Sequence, residues 1–376
     1  MLEKDPAEPR LVSKEVRILQ ISADRSARGL LHRDSPAFKR QEAYARVFGN
    51  LDVIAFSLRS DEVQAIDAGS LRIFPTNALS KFLYGWYALR MARAISKPDV
   101  VTVQDPFETG LTGWCIAKRN GVPLHAQVHT DFLSPAYRRH SLINRVRVRL
   151  ALFVLRRATR IRVVSHWIKS DLEKSGISAP ITVLPIYADL AHIREGGHPA
   201  LTSRFHGFEK RVVVVSRLEK EKDVALAIRS FQEVSPLGSC LIIVGEGSER
   251  RSLETLARDL RVETRVFFEG EQDAANYYAL ADLVLVPSRY EGYGLVIIEA
   301  LAAGKPVIST DVGVAREAGA IIASSREFSQ ALARWFEGGP REGVLSNYPY
   351  RHFEEYAHAY CADIAEAAGY STAANK

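Results

Sequence analysis

Short apolar runs alternate with amphipathic stretches through the first half of the chain. Six runs are rich in β-branched residues and have the length of strands; they are 16–22, 51–57, 71–76, 99–105, 124–130 and 159–165. Amphipathic stretches such as AFKRQEAYARVF and KFLYGWYALRMARAI lie between several of them. This alternation favours a parallel sheet with crossover helices. Because the strands are almost continuously apolar, we expect both faces of the sheet to be covered.

The pattern lapses near 190–207, in AHIREGGHPALTSRFHG, which has the composition of an interdomain linker. It then resumes with six further strand-like runs, 211–216, 240–245, 265–270, 282–288, 305–310 and 319–324. We therefore predict an α/β chain of two doubly wound Rossmann-like domains facing a cleft, over 1–195 and 205–345. The remaining segment, 346–376, contains a helix with an apolar stripe, for which the N-terminal domain is the candidate packing partner.

Composition places the chain among soluble globular proteins. It has 376 residues, of which 47% are hydrophobic and 25% charged. Its three cysteines are widely spaced and odd in number, which favours a reducing cytosol over a disulfide framework or a zinc site. The first residues lack an apolar signal core, and no apolar run approaches the roughly 20 residues that span a bilayer. We expect a cytoplasmic protein.

Charge is distributed unevenly between the halves. Residues 1–200 carry 30 Lys+Arg against 19 Asp+Glu, a net +11, whereas the rest carry 20 against 25, a net −5. Such asymmetry concerns partners rather than fold, and nucleic acid, anionic lipid and phosphorylated substrates are all candidates.

Arginines are concentrated in 137–160, which we predict to be one helix. At about 100° per residue, four of them share one face beside Leu142, Val146, Leu150 and Phe153. These four are Arg138, Arg145, Arg149 and Arg156. A solvated face and a peripheral contact with an anionic membrane, at the inner face of the cell membrane, both remain open. Nucleic acid is not expected, because no aromatic interleaving or binding motif accompanies the charge.

Candidate chemistry lies where strands end, because open parallel sheets bind ligands outside the carboxyl ends of their strands. In SRYEGYGLVIIEALAAG, Glu291 follows a strand, and Gly292 and Gly294 allow close approach of the backbone. A helix predicted to start near Gly294 offers free N–H groups that suit a pyrophosphate. Glu299, inside that helix, could accept two hydrogen bonds from a ribose diol. The alternative is a glycine-rich turn beside two solvated glutamates.

Two further loops follow strands in the same half. Arg217 and Lys222 could converge on a diphosphate, or could belong to a solvated basic loop. Gly245 and Gly247 form a G-x-G that indicates either a tight strand-to-helix turn or the approach of a ligand.

Together, these loops and the run PSRYEGYGLVIIEALAAGKPV resemble the C-terminal domain of the retaining family-four glycosyltransferases of the GT-B fold, the group 1 type with an E-x7-E motif. The resemblance covers 211–325 in detail. It implies that Glu299 binds the donor ribose, that Glu291 lies near the transferred sugar, and that Arg217 and Lys222 bind the diphosphate. The donor-binding set that it implies is Ser216, Gly245, Gly247, Gly292, Tyr293, Gly294, Leu295 and Glu299.

The N-terminal domain matches the family less closely. Many relatives carry a Gly-Gly loop after the first strand, where this chain has SADRSARG with Gly29 alone. His129 resembles a family histidine that faces the donor sugar, although a structural role at a strand end is the alternative. Asp105, Glu108 and Asp131 are candidates for contact with acceptor hydroxyls, and Asp105 and Glu108 could instead be helix caps.

The resemblance implies a retaining transfer of a sugar from a nucleotide-diphosphate sugar, UDP or GDP, to a glycan or lipid-linked acceptor. No protein nucleophile is implied, and the catalytic candidates are His129, Arg217, Lys222 and Glu291. No D-x-D metal motif is apparent, so we expect no metal and no cofactor beyond the sugar nucleotide.

Three other functions are alternatives to sugar transfer. A nucleotide-sugar-binding protein without transferase activity and a GT-B sugar-nucleotide epimerase are the alternatives, although the epimerases lack this E-x7-E context. A dehydrogenase is disfavoured because no G-x-G-x-x-G follows the first strand.

Overall fold

A computed structural model describes residues 16–23 and 29–370 of the chain. They form two compact units, each with its own sheet. Of the described residues, the first unit takes in those up to Leu133, then Arg138–Leu184, and those from His352 to Tyr370. The second unit comprises Ser134–Tyr137 and Pro185–Arg351.

The first unit is built on an eight-stranded sheet of order β3-β4-β2-β1-β5-β6-β7-β8. Its strands are β1 (Ile18–Ser22), β2 (Leu51–Ala55), β3 (Ile66–Ala68), β4 (Leu71–Pro75), β5 (Val100–Val103), β6 (Leu124–Val128), β7 (Arg160–Val163) and β8 (Ile181–Val183). Neighbouring strands are parallel except β3, which pairs antiparallel with β4. The six predicted strands are all present, and β3 and β8 are additional edge strands.

Helices cover both faces of this sheet. They are α1 (Pro36–Phe48), α2 (Tyr84–Met91), α3 (Glu108–Asn120), α4 (Pro135–His140), α5 (Leu142–Leu155), α6 (His166–Lys174) and, from the end of the chain, α15 (Phe353–Ala367). Helices α1 and α15 contact each other on one face. Helix α3 contacts both α2 and α5, and right-handed crossovers place these three on the opposite face.

The arginine-rich segment differs from its prediction, because it forms two helices instead of one. Ser141 has extended backbone (φ −157°), and its side chain accepts a hydrogen bond from the Asn144 N–H, so it caps a new helix. Arg138 therefore lies on α4 and Arg156 is the C-cap residue of α5. The predicted four-arginine stripe is wrong as a single helix face.

Within α5 the apolar arc is also different from the one expected. Arg145 and Arg149, four residues apart, are both exposed on the same helix. Leu142 and Val146 are 74% and 62% exposed, so they do not pack into the core of the described unit.

The second unit has a six-stranded, fully parallel sheet of order β11-β10-β9-β12-β13-β14. Its strands are β9 (Lys210–Val215), β10 (Ser239–Val244), β11 (Val266–Gly270), β12 (Leu283–Val286), β13 (Val307–Ser309) and β14 (Ile321–Ile322). Its helices are α7 (Leu190–Arg194), α8 (Pro199–Phe205), α9 (Val224–Val234), α10 (Arg250–Asp259), α11 (Ala274–Leu280), α12 (Leu295–Ala302), α13 (Ala315–Ala318) and α14 (Phe328–Gly338). The fold class predicted from sequence, two doubly wound α/β domains, is confirmed.

Strand order places the loops that matter for function. Strands β9 and β12 are neighbours at the centre of the second sheet, and the chain winds outward from them in opposite directions. The loops that follow these two strands therefore lie side by side at the topological switch point, where open α/β sheets bind ligands. The predicted linker at 190–207 contains helices α7 and α8, which belong to the second unit.

Candidate functional site

The two switch-point loops are joined by an ion pair. Lys222 Nζ donates to Glu291 Oε1 at 2.6 Å, and the two side chains are 18% and 15% exposed. Ser288 Oγ donates to the same carboxylate oxygen at 2.8 Å. The positions of β9 and β12 explain this contact, since Lys222 ends the short 3₁₀ turn after β9 and Glu291 lies in the loop after β12.

Arg217 does not share that partner. Its side chain is 72% exposed and pairs with Glu221 at 3.2 Å. An exposed ion pair four residues apart contributes little to stability, so Arg217 can leave it at small cost. The structure therefore gives each of the two predicted diphosphate-binding cations its own carboxylate.

The G-x-G after β10 meets the loop after β9. A Cβ on Gly245 would lie 1.9 Å from the Ser216 carbonyl oxygen, and one on Gly247 would lie 2.4 Å from the Leu218 carbonyl oxygen. Both positions therefore require glycine because the two loops approach each other closely. This agrees with the alternative that the G-x-G forms a tight strand-to-helix turn. Beside them, the Ser216 hydroxyl is buried and has no hydrogen-bond partner among the described residues, which is uncommon for a buried polar group.

Helix α12 begins next to these loops. Gly294 precedes it with a φ of 93°, a conformation that favours glycine, and the helix starts at Leu295 as expected. Tyr293 is buried, and its carbonyl accepts a hydrogen bond from the Val314 N–H at 2.9 Å. Its ring therefore belongs to the packing of the loop, while Leu295 and Gly292 are half-buried at the helix start.

Glu299 lies one turn into α12 and is largely buried. Tyr278, on α11, donates its hydroxyl to Glu299 Oε2 at 2.9 Å. Burial raises the pKa of Glu299, and the bond from Tyr278 opposes that shift. Burial and the neighbouring carboxyl also raise the pKa of Tyr278 well above its usual range, so the phenol stays a donor.

His129 follows β6 in the first unit and is half-buried. Its Nε2 lies 3.2 Å from Gln127 Oε1. Burial, reinforced by the positive charge of Arg162 and by His125, lowers the pKa of His129 to about 3. At neutral pH the imidazole is therefore uncharged, with one ring nitrogen that can donate a hydrogen bond and one that can accept.

The acceptor candidates already have partners in the chain. Asp105 Oδ1 accepts from the Phe107 N–H at 2.8 Å, and burial raises the pKa of Asp105. Glu108 pairs with Arg147 at 2.7 Å. Asp131 is buried in the turn after His129. Asp105 closes a turn just before α3, and neither Asp105 nor Glu108 is the N-cap residue of that helix, which is Phe107.

A buried polar network behind His129 was not predicted. Gln127 donates from Nε2 to the Tyr360 hydroxyl at 2.8 Å and accepts from Arg162 Nη1 at 3.1 Å. Arg162 is fully buried, with its guanidinium 4.7 Å from the Tyr360 ring centre and 2.9 Å from the Tyr356 hydroxyl. The signal available in the sequence was the polar positions of LHAQV and RIRV, in strands that should be apolar on both faces.

Neither a metal site nor a membrane-spanning helix occurs in the described part of the chain. No group of three or more His, Cys, Asp and Glu side chains within 16–23 and 29–370 is arranged to hold a metal ion. Within the same residues, every helix is too short or too polar to cross a bilayer.

Known proteins match both units. Residues 209–337 match the family model "Glycosyl transferases group 1", and residues 43–192 match "Glycosyltransferase Family 4". The chain belongs to the group 1 glycosyltransferases of the GT-B fold. Its sequence is 38% identical over 107 residues to N-acetyl-alpha-D-glucosaminyl L-malate synthase of Bacillus anthracis, covering 28% of each chain.

A longer match connects this group 1 glycosyltransferase with D-inositol 3-phosphate glycosyltransferase of Rhodococcus opacus. The two are 28% identical over 290 residues, 68% of this chain and 63% of the relative. The chain spans less than half the length of the first curated relatives that it matches. Among solved structures, Anabaena HepE in complex with UDP and glucose superposes with a TM-score of 0.65 at 19% identity, covering 95% of this chain and 96% of HepE. That likeness shows the fold.

Proposed function

We propose that the second unit binds a nucleotide-diphosphate sugar and that the chain transfers its sugar, with retention of configuration, to an acceptor hydroxyl. The observation that carries this proposal is the Lys222–Glu291 contact between the loops that follow β9 and β12. Lys222 is available for the diphosphate, and Glu291 for the transferred sugar. Glu299, further along the same segment, is available for the ribose, and the buried Ser216 hydroxyl lies nearby. One extended ligand could contact all of these groups.

The proposed reaction needs no protein nucleophile. The bond between the sugar C1 and the β-phosphate oxygen breaks, and the acceptor oxygen bonds to C1 on the same face. The acceptor's proton passes to the leaving phosphate. Lys222, Arg217 and the first N–H groups of α12 stabilise the charge that develops on that phosphate, and one such donor contributes about 10²–10³ in rate.

Two side chains are assigned to binding. The ribose diol donates hydrogen bonds to Glu299, whose orientation is fixed by Tyr278. His129 is proposed to contact the transferred sugar, and its low pKa makes this a hydrogen bond between neutral groups.

The first property to determine is which nucleotide base the sugar donor carries. We propose UDP as the starting donor, because HepE was solved with UDP and glucose. GDP sugars are the second choice. We also propose that transfer proceeds without a metal ion, so that a chelator leaves the rate unchanged.

The acceptor is proposed to be a glycan or a lipid-linked sugar. For a lipid-linked acceptor, we propose that the chain works in the cytoplasm, at the inner face of the cell membrane.

The decisive experiment is a donor screen. Nucleotide release is measured from a panel of UDP and GDP sugars, with a lipid extract and with simple sugars as acceptors, and NMR of the product gives the anomeric configuration. Release that depends on both donor and acceptor supports the proposal. Tight donor binding with no release favours a binding protein, and a change in the sugar nucleotide without acceptor favours an epimerase.

A further inference from the structure

Helices α2, α3 and α5 form one layer on a face of the first sheet, with α3 in the middle. A Cβ on Gly85 of α2 would lie 3.1 Å from Thr112 Oγ1 of α3. A Cβ on Gly110 of α3 would lie 3.2 Å from the Val154 side chain of α5. Small residues thus let α3 pack closely against each neighbour.

The three helices start within about two helical turns of one another. Glu108 pairs with Arg147 at 2.7 Å, and the Trp114 and Phe153 rings are 5.1 Å apart. Both pairs are separated by 39 positions, so α3 and α5 run in the same direction. Gly85 is the second residue of α2 and Thr112 is the fifth residue of α3, so these two helices start within about one turn of each other. With about 8–10 Å between packed helices, the layer is about 20 Å wide from α2 to α5.

Large exposed apolar side chains gather at this end of the layer. Among the described residues, eight of the eleven exposed large apolar side chains lie at or just before these helix starts. They are Leu79, Phe82, Leu83, Trp86, Leu111, Leu142, Ile143 and Val146, and we call them the helix-start patch. Phe82 is 99% exposed and Leu142 is 74% exposed. Single exposed apolar residues are ordinary, but a cluster of this kind marks a contact surface.

The charge around the patch has one sign. Residues 79–97 contain four Lys and Arg and no acidic residue, and residues 138–157 contain seven Arg and no acidic residue. The acidic residue of α3 is Glu108, which is paired with Arg147. None of Arg138, Arg139, Arg145 and Arg149 forms an ion pair with the described part of the chain.

We propose that the helix-start patch docks on an anionic lipid bilayer. Phe82, Trp86 and Leu142 enter the boundary between headgroups and acyl chains, and Arg145 and Arg149 contact the phosphates. An anionic bilayer has a layer of negatively charged headgroups with apolar acyl chains just below it. Exposed Phe and Leu side chains beside arginines that have no acidic partner complement both layers. Nucleic acid would leave the apolar tips in water.

This surface belongs to the first unit and does not use the donor-binding residues of the second. What the docking surface implies for the acceptor rests on the proposed function. Of the two proposed acceptor classes, a surface that binds a bilayer favours the lipid-linked sugar.

The test is co-sedimentation of the full chain with vesicles of phosphatidylcholine mixed with phosphatidylglycerol, compared with phosphatidylcholine alone. Binding is expected to require the anionic lipid and to weaken at high salt. Arg145→Gln with Arg149→Gln should lower vesicle affinity about 25-fold, because each cation near an anionic surface contributes about 1 kcal/mol. Phe82→Ser with Trp86→Ser should lower it at least about tenfold, including at high salt.

Matched variants on the second unit serve as controls. Leu237→Ser removes another side chain that is 85% exposed, and Arg251→Gln with Arg326→Gln removes two exposed charges. All three substitutions should leave vesicle binding at the wild-type level. Insertion itself is read from quenching of Trp86 fluorescence by brominated lipid, which Trp86→Phe should abolish.

Two outcomes would overturn the proposal. One is wild-type protein that stays in the supernatant with anionic vesicles at low salt. The other is binding that neither pair of patch substitutions weakens. Self-association or RNA binding that the patch substitutions remove, without vesicle binding, would assign the surface to those partners instead. Nucleotide affinity measured by calorimetry is expected to be unchanged in every patch variant, so loss of vesicle binding and failure of the donor site are distinguishable.

Discussion

His125 Nε2 lies 2.9 Å from Asp363 Oδ2, although 238 positions separate the two residues in the chain. Arg160 donates to the other oxygen of the same carboxylate at 2.5 Å. Both His125 and Asp363 are buried, so helix α15 is tied to strands β6 and β7 by charged groups as well as by its aromatic side chains.

Asp363→Ala should destabilise the first unit by about 3–5 kcal/mol, because it leaves the buried partners of the carboxylate unsatisfied. Urea unfolding measures the change. Glu354→Ala, an exposed position on the same helix, should unfold like the wild type. An unchanged midpoint for Asp363→Ala would mean that the pair contributes nothing to the attachment of α15.

Acid should weaken the fold before Asp363 is protonated. Burial lowers the pKa of His129 from 6.5 to about 3 in the folded chain. Between these two pH values the unfolded chain binds a proton at His129 and the folded chain does not. The free energy of unfolding therefore falls as the pH falls through this window. Burial opposes the ionisation of Asp363, yet the bonds from His125 and Arg160 bring its pKa to about 2, so its contribution is lost only below about pH 3.8.

His129→Gln should therefore lose less stability than the wild type between pH 6.5 and 4. Denaturant unfolding at several pH values gives the slopes. Leu237→Ser, an exposed position without a titrating group, should keep the wild-type slope. Equal slopes for the wild type and His129→Gln would show that His129 titrates normally.

Glu299→Ala should weaken nucleotide binding by about 1.5–3 kcal/mol, because the ribose loses a charged hydrogen-bond acceptor. Calorimetry with the nucleoside diphosphate measures this. Tyr278→Phe should cause a smaller loss, since it frees the carboxylate without removing it. The exposed Glu263→Ala is the control, and nucleotide affinity equal to wild type in Glu299→Ala would remove Glu299 from the donor site.

Lys222→Ala should lower kcat about 10²-fold or more while the melting temperature changes little, because the side chain lies on a loop and acts on the leaving phosphate. Lys220→Ala removes an exposed cation two positions earlier and should behave like the wild type. If Lys222→Ala instead melts much earlier and turns over normally once folded, the pair with Glu291 is structural.

Local patterns in the sequence predicted the strands better than they predicted the contacts. Long buried runs such as β9 and β10 are apolar and β-branched at nearly every position, so they were found. Strands β3 and β8 have three half-buried or exposed residues each, too few for a pattern. The break at Ser141 was signalled by its own capping side chain but was masked by the regular spacing of the arginines around it.

The site shows the same division. Lys222 and Glu291 could be assigned to strand-end loops, but their contact depends on β9 lying next to β12, which is a property of the whole sheet. Tyr278 bonds to Glu299, and Tyr360 bonds to Gln127, although the partners are far apart in the sequence. No local pattern near these residues indicates either contact.

The place of α15 also constrains the order of events during synthesis. The second unit ends at Arg351 and the last strand of its sheet ends at Ile322, so that sheet is synthesised before helix α15. The first unit was begun earlier but lacks the helix that buries Arg162 and pairs with His125 until the last segment emerges. The amino-terminal half of this chain is therefore expected to be the last to become protease-resistant, and a stop codon shortly before Phe353 would leave it unfinished.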